Sequence, residues 1–460
     1  MLLFLAAVNQ ATAERIDQVY QRHCAACHGP SLEGGLGGSL VDGVWNHGAS
    51  DAEITRSIAV GNPDFGMTPF QGVLSPEEIR AMVVFLREQE KRRRERLSRP
   101  PHTKPDNVVK TSLHRYRMQV FAENLDIPWS IVFLPDGSLL VAERPGTLRP
   151  IAPDGSVGAP IRGTPAVLHH GQGGLMEVAL HPEFAENRWV YLAFAEGERE
   201  GKRVRAMTAV VRGRIRNGAW VDEQEIWRAD RRFYGSAGVH FGSRIAFDRE
   251  GYLYFVIGER GGWHEAQELA RPNGKIYRLH ADGRVPEDNP FVGRADALPG
   301  IWSYGHRNPQ GLAFDLRTGE LWSTEHGPRG GDEFNRIVRG ANYGWPVISH
   351  GINYDGTPFT ALTAQEGMES PVYHWTPSIA ACGLAFYDGA AFPRWRGNFF
   401  AGALMQQELR RLRVEGGRVV EDEVILKNAG RVRDVRAGPD GLLYVVLNDP
   451  HRVVRLQPAD

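Results

Sequence analysis

Two cysteines and a histidine lie within five consecutive residues near the start of the chain, in the order Cys24-Ala25-Ala26-Cys27-His28. This C-x-x-C-H spacing is typical of c-type haem attachment, in which both thiols add to the haem vinyl groups and the adjacent imidazole ligates the iron. A zinc or thiol redox site would require a second ligand pair or a βαβ context, and neither is visible. The motif therefore predicts covalently bound haem c with His28 as its proximal ligand.

A second iron ligand is expected in a loop further along the chain. Met67 lies in the Gly- and Pro-rich segment 61–70, whereas Met82 falls inside a helical pattern and is a better candidate for the core. A thioether opposite an imidazole raises the iron reduction potential and leaves no open position for oxygen. We therefore predict Met67 as the distal ligand and an electron-transfer role for this haem.

The elements that must hold the haem are predicted to be helical. Ser75, Pro76 and Glu78 form a helix start signal, with a capping serine, a proline at the first position and a glutamate three residues after the cap. Apolar residues at helical spacing predict an earlier helix over 14–22. The residues predicted to be buried are Ile16, Val19 and Tyr20 in the first helix and Ile79, Met82, Val83 and Leu86 in the second. Together these features resemble class I cytochrome c, which implies a small all-α domain over 14–90.

The first thirteen residues predict export from the cytoplasm. Seven apolar residues, Leu2 to Val8, precede Ala11-Thr12-Ala13, a small-residue cleavage pattern. Because no basic residues precede the apolar stretch, we interpret 1–13 as a truncated signal peptide whose true start lies upstream. The haem motif independently favours export, so the expected location is the periplasm. Only three cysteines are present, too few for a disulfide framework.

Charge and hydropathy narrow the possible partners. With 54 basic and 55 acidic residues, the formal net charge of −1 gives no global field toward nucleic acid or an anionic membrane. No run of 18 apolar residues follows later in the chain, so the sequence predicts no transmembrane segment. Residues 91–99 hold six basic side chains against one acidic side chain and lead into Pro100 and Pro101. A nucleic-acid patch is one interpretation of these charges, but a solvated helix end is favoured, and 91–111 is predicted as a linker.

From residue 112 to residue 460, short apolar strands alternate with turn signals, many of them Pro-Asp-Gly or a relative. The matching strands are Leu139 to Glu143, Val190 to Glu196, Leu253 to Glu259, Leu321 to Gly327, Asn398 to Leu404 and Leu443 to Asp449. Six similar units favour radial repetition over a β-sandwich or two stacked barrels. The fold expected for this region is an all-β six-bladed β-propeller.

Four segments of the propeller carry a family resemblance. They are Gly171-Gln172-Gly173-Gly174-Leu175-Met176; His240-Phe241-Gly242-Ser243-Arg244 followed by Ile257-Gly258-Glu259; Gly305-His306-Arg307-Asn308-Pro309-Gln310-Gly311-Leu312 continuing through Glu325-His326-Gly327-Pro328 to Asn342-Tyr343-Gly344-Trp345-Pro346; and Arg431-Val432-Arg433-Asp434. In content and order they resemble the soluble dehydrogenases of glucose, sorbosone and aldose sugars that depend on pyrroloquinoline quinone (PQQ). The resemblance covers 115–458 and implies PQQ as cofactor and a sugar as substrate.

The resemblance implies roles for several of these residues. A base must take the hydroxyl proton while hydride leaves the sugar carbon, and the neutral imidazole of His240 suits that task. Glu259, where the family usually has Asp, would orient the ring. Arg307 would polarise the quinone carbonyl that receives hydride. The other residues implied to hold PQQ are Gln172, Asn308, Ser378, Arg431 and Arg433.

A calcium ion is also implied by the resemblance, with the backbone carbonyls of Gly327 and Pro328 as ligands. Two positions depart from the family pattern. Val239 stands where glucose-oxidising members have an acid, and Met405 where a cofactor-binding lysine is common. Cys382 lies among small residues and is expected to be a buried packing thiol.

The favoured function is a quinohaemoprotein dehydrogenase that oxidises an aldose or related alcohol and passes electrons to the attached haem. A downstream periplasmic electron acceptor would then complete the transfer. Two alternatives stay open: a sugar-binding propeller with a decayed site, and a Ca²⁺-dependent lactone hydrolase, which leaves the haem unexplained. In the favoured hypothesis the linker is a tether that raises the effective concentration of the haem near the quinone.

Overall fold

A computed structural model describes residues 14–98 and 102–459. The N-terminal region is helical, with α1 (Ile16–His23), α2 (Ala25–His28), α3 (Asp51–Val60) and α4 (Pro76–Ser98). The segment predicted to be a signal peptide, 1–13, lies outside the described residues. The apolar residues predicted to be buried in the two helices are all buried, in a core shared by α1, α3 and α4.

Helix α4 begins where its start signal predicts. The Ser75 hydroxyl accepts a hydrogen bond from the Glu78 backbone N–H at 3.1 Å, and the Glu78 carboxylate accepts one from the Ser75 backbone N–H at 2.8 Å. Helix α3, which the sequence analysis did not identify, begins with the same reciprocal pair between Ser50 and Glu53. These caps satisfy backbone donors that the first helical turn leaves without partners.

The remaining chain forms six antiparallel sheets, the blades of a propeller, which confirms the predicted fold. Blade 1 contains β3 (Pro128–Phe133), β4 (Leu139–Glu143) and β5 (Thr147–Ile151), and blade 2 contains β6 (Leu175–Leu180), β7 (Val190–Glu200), β8 (Arg203–Arg216) and β9 (Ala219–Trp227), with the short helix α5 (Phe184–Asn187) between β6 and β7. Blade 3 contains β10 (Ile245–Phe247), β11 (Leu253–Ile257), β12 (Lys275–Leu279) and β13 (Ile301–Tyr304). Blade 4 contains β14 (Pro309–Phe314), β15 (Leu321–Glu325), β16 (Asp332–Ile337) and β17 (Tyr373–Trp375). Blade 5 contains β18 (Ala381–Tyr387), β19 (Asn398–Ala403), β20 (Glu408–Glu415) and β21 (Arg418–Lys427).

Blade 6 closes the ring by joining the two ends of the propeller. It contains β22 (Arg431–Ala437), β23 (Leu443–Asn448) and β24 (Arg452–Pro458), and the outer edge of β24 pairs with β2 (Arg115–Ala122), which pairs in turn with β1 (Val108–Lys110). The innermost strands of successive blades contact one another, and β22 contacts β3 to complete the circle. The six repeated strands predicted from the sequence are the second strands of the six blades.

The segment predicted as a linker is ordered at both ends. Helix α4 continues through its basic residues to Ser98, and β1 lies within the same predicted range. The reason is the acidic surface of blade 5 beside the helix. Burial lowers the pKa of Lys91, the Glu408 carboxylate opposes that shift, and Glu95 lies 3.6 Å from Lys427. The side of the helix end that carries Lys91 and Glu95 therefore faces the propeller, while Arg92, Arg94 and Arg96 are exposed to solvent.

Two stacked histidines lie where the helical domain meets the propeller. The rings of His350 and His374 are 3.8 Å apart and nearly parallel. Burial lowers the pKa of His350 to about 3, reinforced by His374 and Arg80 and opposed by Asp51. Burial also lowers the pKa of His374. Both imidazoles are therefore neutral at physiological pH.

Candidate active site

The predicted site residues gather at one mouth of the central channel. All innermost strands of a propeller run in the same direction along the channel, so the residues that enter them lie at one end. Gln172 precedes β6, Arg307 and Asn308 precede β14, Ser378 precedes β18, and Arg431 begins β22. His240 lies in the loop before β10, and the loop after each second strand returns to the same end. The antiparallel pleat of each blade therefore brings segments far apart in sequence together.

The His240 imidazole is held by a buried carboxylate. Glu259 is fully buried, and its Oε1 is hydrogen-bonded to Nδ1 of His240. The His240 backbone, at φ 54°, donates its N–H to the Gln172 side-chain oxygen at 2.9 Å. Among the residues that the structure describes, none hydrogen-bonds to Nε2 of His240. The carboxylate fixes Nδ1 as the protonated nitrogen, which leaves Nε2 as the basic one.

Burial lowers the pKa of His240, and the cationic Arg307 and Arg260 lower it further, while Glu259 opposes the shift. The imidazole is therefore neutral near pH 7 and able to accept a proton. Arg260 also holds the loop that carries His240, because its guanidinium donates hydrogen bonds to the backbone carbonyls of Ala237 and Val239. Sequence analysis gave Arg260 no role, because its partners are backbone atoms of another loop.

A buried glutamate positions Arg307 and Asn308. The Glu325 carboxylate accepts hydrogen bonds from the backbone N–H groups of both residues, at 3.0 Å for Asn308, and from Nδ1 of His306 at 3.0 Å. The guanidinium of Arg307 donates through Nη1 to the carbonyls of His326 at 3.0 Å and Gly327 at 2.7 Å. Its Nε is buried without a partner among the described residues. Glu325 lies in the third of the four segments that carry the family resemblance, but its residue type and position do not indicate that it binds the backbone of Arg307.

Arg433 is a buried cation with neutral partners. It is 8% exposed, lies 3.9 Å above the Trp129 ring, and donates to the side-chain oxygens of Asn448 at 3.2 Å and Gln310 at 3.3 Å. Burial lowers its pKa. In residues 14–98 and 102–459 no carboxylate forms an ion pair with Arg433, Arg307 or Arg431, and Arg431 is exposed.

This excess of positive charge fits an anionic ligand at the mouth. A further ring nitrogen points the same way, since the buried Nε2 of the half-buried His326 also has no partner among the described residues. A tricarboxylate with an ortho-dione, such as PQQ, would supply the missing negative charge and acceptors. Arg307, Arg431, Arg433, Asn308 and Gln172 are the residues that would hold it. Met405, at the position where the family commonly has lysine, is 56% exposed and adds no cation.

The carbonyls predicted as calcium ligands are adjacent but already hydrogen-bonded. The Gly327 oxygen accepts from Arg307, and the Pro328 oxygen accepts from the Ser378 hydroxyl at 3.0 Å. The Ser378 oxygen itself accepts from the Gly330 N–H, so this side chain is bound within the turn. No cluster of three or more acidic, histidine or cysteine side chains suited to a metal occurs in the described part of the chain. The calcium ligands remain a prediction.

A buried ion cluster links three blades at the centre of the channel. Arg244 lies between Glu177 at 2.8 Å and Asp434 at 3.0 Å, and Arg436 bonds the same two carboxylates at 2.6 and 3.0 Å. Arg244 also donates to the Arg433 carbonyl at 2.8 Å. The cluster therefore fixes the strand that carries Arg433. Arg244 and Asp434 stood in quoted motifs, but their pairing across blades could not be inferred from spacing.

Aromatic side chains line the mouth beside Arg307. The Trp345 and Tyr354 rings lie 5.2 and 5.8 Å from the Arg307 guanidinium carbon. Trp263 and Phe359 pack against Trp345, with ring centroids 5.0 and 5.7 Å away. Flat apolar faces next to a base and a cation suit a sugar ring or a planar cofactor. Only Trp345 was part of a motif identified in the sequence.

The haem-binding segment is prearranged around His28. Its Nδ1 is hydrogen-bonded to the Gly38 carbonyl at 2.8 Å, which leaves Nε2 as the nitrogen for iron. A Cβ at Gly37 would lie 2.7 Å from the imidazole, so this glycine permits close approach of the loop. Cys27 is exposed and Cys24 is half-buried, so both thiols are reachable.

The surface around this segment fits a large apolar group. Leu36 and Phe65 are 92% and 77% exposed, an unusual state for such side chains in a small domain. The indole N–H of Trp45 is buried without a partner among the described residues. Met67 is half-buried in its predicted loop, with its sulfur 3.8 Å from the Asn62 amide nitrogen. Haem would cover the exposed side chains, and these residues fit the group.

Cys382 is fully buried, as predicted, but it does more than fill space. Its Sγ lies 3.1 Å from the Arg433 carbonyl and 3.5 Å from the Arg433 guanidinium. The thiol therefore belongs to the environment of the buried cation.

None of the helices among the described residues is both long and apolar enough to cross a membrane.

Comparison with known proteins agrees with both halves of the structure. Residues 125–455 match the glucose/sorbosone dehydrogenase family, and residues 11–86 match cytochrome c oxidase, cbb3-type, subunit III. Aldose sugar dehydrogenase YliI of Escherichia coli is 42% identical over 72% of this chain and 90% of its own. The apo-form structure of the E. coli soluble aldose sugar dehydrogenase aligns with a TM-score of 0.71 at 39% identity, over 75% of this chain and 100% of that one. The PQQ-bound aldose sugar dehydrogenase of Streptomyces coelicolor aligns with a TM-score of 0.61 at 26% identity, over 77% and 99%. This chain therefore belongs to the glucose/sorbosone dehydrogenase family and carries a cytochrome c-like domain before its propeller.

Proposed function

We propose that this chain oxidises an aldose at its anomeric carbon with PQQ bound at the channel mouth, and that the electrons pass to haem c in its own helical domain. The observation that carries the proposal is the pairing of a neutral imidazole with uncompensated cations. His240 is held by Glu259, and Arg307 and Arg433 have no acid partner among the described residues. The PQQ-bound relative supports the choice of quinone.

The proposed chemistry balances in two electrons and two protons. When bound, PQQ accepts hydride from carbon, and haem iron accepts single electrons. At the sugar, the anomeric C–H bond breaks as hydride leaves, and Nε2 of His240 takes the hydroxyl proton while the C=O bond of the lactone forms. The Glu259 carboxylate stabilises the imidazolium that results.

Arg307 binds and polarises at the point where negative charge develops. Its backbone is fixed by Glu325, so the guanidinium is positioned before the reaction and little reorganisation is required. Arg433, deeper and stacked on Trp129, would hold a carboxylate of the cofactor. The aromatic faces of Trp345 and Tyr354 lie beside the Arg307 guanidinium and offer flat contact surfaces for the cofactor or the sugar.

The proposal also includes a calcium site and a periplasmic location. The carbonyls of Gly327 and Pro328, which accept hydrogen bonds from Arg307 and Ser378, would contribute to a calcium site. Export to the periplasm is supported by the haem attachment motif and by the apolar residues 2–8. A periplasmic one-electron acceptor would then reoxidise the haem.

The test reconstitutes the haem-loaded protein with PQQ and Ca²⁺ and follows haem absorbance after aldoses are added singly. We expect haem reduction that requires both PQQ and sugar, and that His240→Ala abolishes. His280→Ala, at a histidine that follows the end of β12 opposite to Glu259, is the matched control and should retain full activity. Sugar oxidation with a soluble dye but without haem reduction would refute electron transfer from the quinone to the haem. Absence of turnover with every aldose would refute the dehydrogenase chemistry.

A further inference from the structure

Two loops of the propeller form a platform beside the active site. We define this docking platform as residues 327–331, after β15, and residues 350–356. The two loops pair with each other, because the backbone N–H of Arg329 donates to the Ile352 carbonyl at 3.0 Å and the Ile352 N–H donates to the Arg329 carbonyl at 2.8 Å. They therefore behave as one surface.

The helical domain makes polar contacts with both loops of this platform. The Arg329 guanidinium donates to the Glu88 carboxylate of α4 at 2.9 Å, with the two side chains 23% and 9% exposed. The Ile16 N–H, at the start of α1, donates to the Gly356 carbonyl at 3.0 Å. Arg80 of α4 donates to the His350 carbonyl. A partly buried ion pair and hydrogen bonds to backbone carbonyls fix the orientation of the helical domain on the platform.

Apolar packing fills the space between these polar contacts. Ile352 is 1% exposed and belongs to the hydrophobic core of the helical domain, although the chain places it in the propeller. Gly330 lies against α4 so closely that a Cβ there would be 2.5 Å from Cγ1 of Val84. Around Ile352 and Gly330 the interface is therefore packed as a protein interior, unlike the loose contact of two tethered domains.

The same platform is one hydrogen bond from the catalytic candidates. Arg307 donates to the carbonyl of Gly327, the first residue of the platform, at 2.7 Å. Tyr354, on the second loop, lies over the Arg307 guanidinium, and its hydroxyl donates to the same carbonyl at 3.4 Å. From the Gly356 contact, α1 leads to Cys24 over about 12 Å at the helical rise per residue. The platform thus connects the predicted quinone site with the start of the haem attachment motif.

We propose that the cytochrome domain stays docked on this platform throughout turnover and receives its electrons there, without swinging away on a flexible linker. This inference rests on the proposed function, since it names the geometry of that electron transfer. Each aldose yields two electrons, and ferric haem takes one at a time to become ferrous. A one-electron acceptor in solution therefore reoxidises the haem between the two transfers.

The first test undocks the domain from the cytochrome side, so that the quinone site is untouched. Glu88→Lys replaces the ion pair with two like charges. Glu77→Lys makes the same charge change in the first turn of α4 and is the matched control, since Glu77 forms none of these contacts. Small-angle X-ray scattering should show a larger radius of gyration for E88K alone. Stopped-flow haem reduction by aldose should slow at least tenfold in E88K, while aldose oxidation by a soluble dye stays within twofold of the unmodified protein.

The second test locks the domain in place. In the double variant Val84→Cys and Gly330→Cys, the two Cβ atoms would lie within about 4 Å, which is disulfide range. Haem reduction should proceed within twofold of the rate measured after the same sample is reduced and desalted. A lock that slows haem reduction more than tenfold would overturn the proposal, because transfer would then require the domain to move.

The outcomes separate this inference from the proposed function. No aldose oxidation by the dye refutes the proposed dehydrogenase and leaves the scattering result to judge docking alone. Failure of the cysteines to crosslink, or fast haem reduction in an expanded E88K protein, each count against docking while dye-linked oxidation continues.

Discussion

Replacing Glu259 with glutamine removes the buried negative charge that is hydrogen-bonded to the His240 imidazole and leaves the size of the side chain almost unchanged. The carboxylate is fully buried, its Oε1 bonds Nδ1 of His240, and its Oε2 has no partner among the described residues. Its effect on the reaction is therefore concentrated in one charge-assisted hydrogen bond. That bond strengthens when the imidazole takes the sugar proton, because the imidazolium carries the charge that Glu259 balances.

A hydrogen bond to a charged group contributes about 1.5–3 kcal/mol. If E259Q loses that contribution in the transition state, kcat falls roughly 10- to 150-fold. The pH dependence of kcat gives an independent test, because the direction of its shift can be predicted. Glu259 opposes the lowering of the His240 pKa that burial causes, so E259Q lowers this pKa further. Activity requires the neutral imidazole, and the acidic limb of kcat therefore moves to lower pH while the plateau falls.

The assay measures kcat against pH with saturating aldose and a soluble dye, so that haem transfer does not limit the rate. Glu259→Asp keeps the charge on a shorter side chain and should recover part of the plateau, with a limb closer to that of the unmodified protein. An acidic limb that moves to higher pH in E259Q, or a plateau that does not change, would show that Glu259 does not act through the imidazole.

Three further predictions follow from contacts described above. Gly37→Ala forces a methyl group against the proximal imidazole and should shift the haem reduction potential in a spectroelectrochemical titration, whereas Gly38→Ala, which meets nothing within 4 Å, should not. Met405→Lys should lower the Kd for PQQ about tenfold, as measured by fluorescence titration, because a cation at this exposed position adds about 1.4 kcal/mol toward an anionic cofactor. Burial lowers the pKa of His350 to about 3 and also lowers the pKa of His374, so the unfolded chain binds more protons than the fold in acid. The free energy of unfolding should therefore decrease as pH falls from about 6.5 toward about 3, by up to about 1.4 kcal/mol per pH unit from His350 and with a further decrease in the same direction from His374. Urea unfolding at several pH values will measure this decrease, and a rise in stability over that range would contradict the assignment.

Local signals in the sequence predicted the parts of the fold that depend on neighbouring residues. The serine, proline and glutamate before α4 predicted its first turn, because a capping box is formed within four residues. The repeated strands predicted the number of blades, because each blade must bury an apolar second strand between its neighbours. His240, Arg307 and Arg433 were identified from motifs, and the structure brings all three to one channel mouth.

The residues that sequence analysis missed act through contacts that span the chain. Glu325 binds the backbone of Arg307 from the next strand of the same blade, and Arg244 pairs with Glu177 and Asp434 from two other blades. No spacing rule predicts such pairs, because partners within one blade are placed by the register of its strands and partners on different blades by the closure of the ring. These buried charges are costly unless paired, so the pairing itself fixes which strands must lie together.

The same limit explains why a linker was predicted where the structure has a docked helix. Six basic side chains before two prolines are typical of a solvated helix end, and only the acidic residues of another element change that interpretation. Glu408 lies beside Lys91, and Glu88 on the same helix pairs with Arg329 of blade 4. Contacts along α4 with two blades leave the helix no freedom to act as a tether. Under the proposed function, side-chain packing at the docking platform would set the distance between haem and quinone, and its variation by mutation should follow the packing of Val84, Gly330 and Ile352 rather than the length of the chain between the domains.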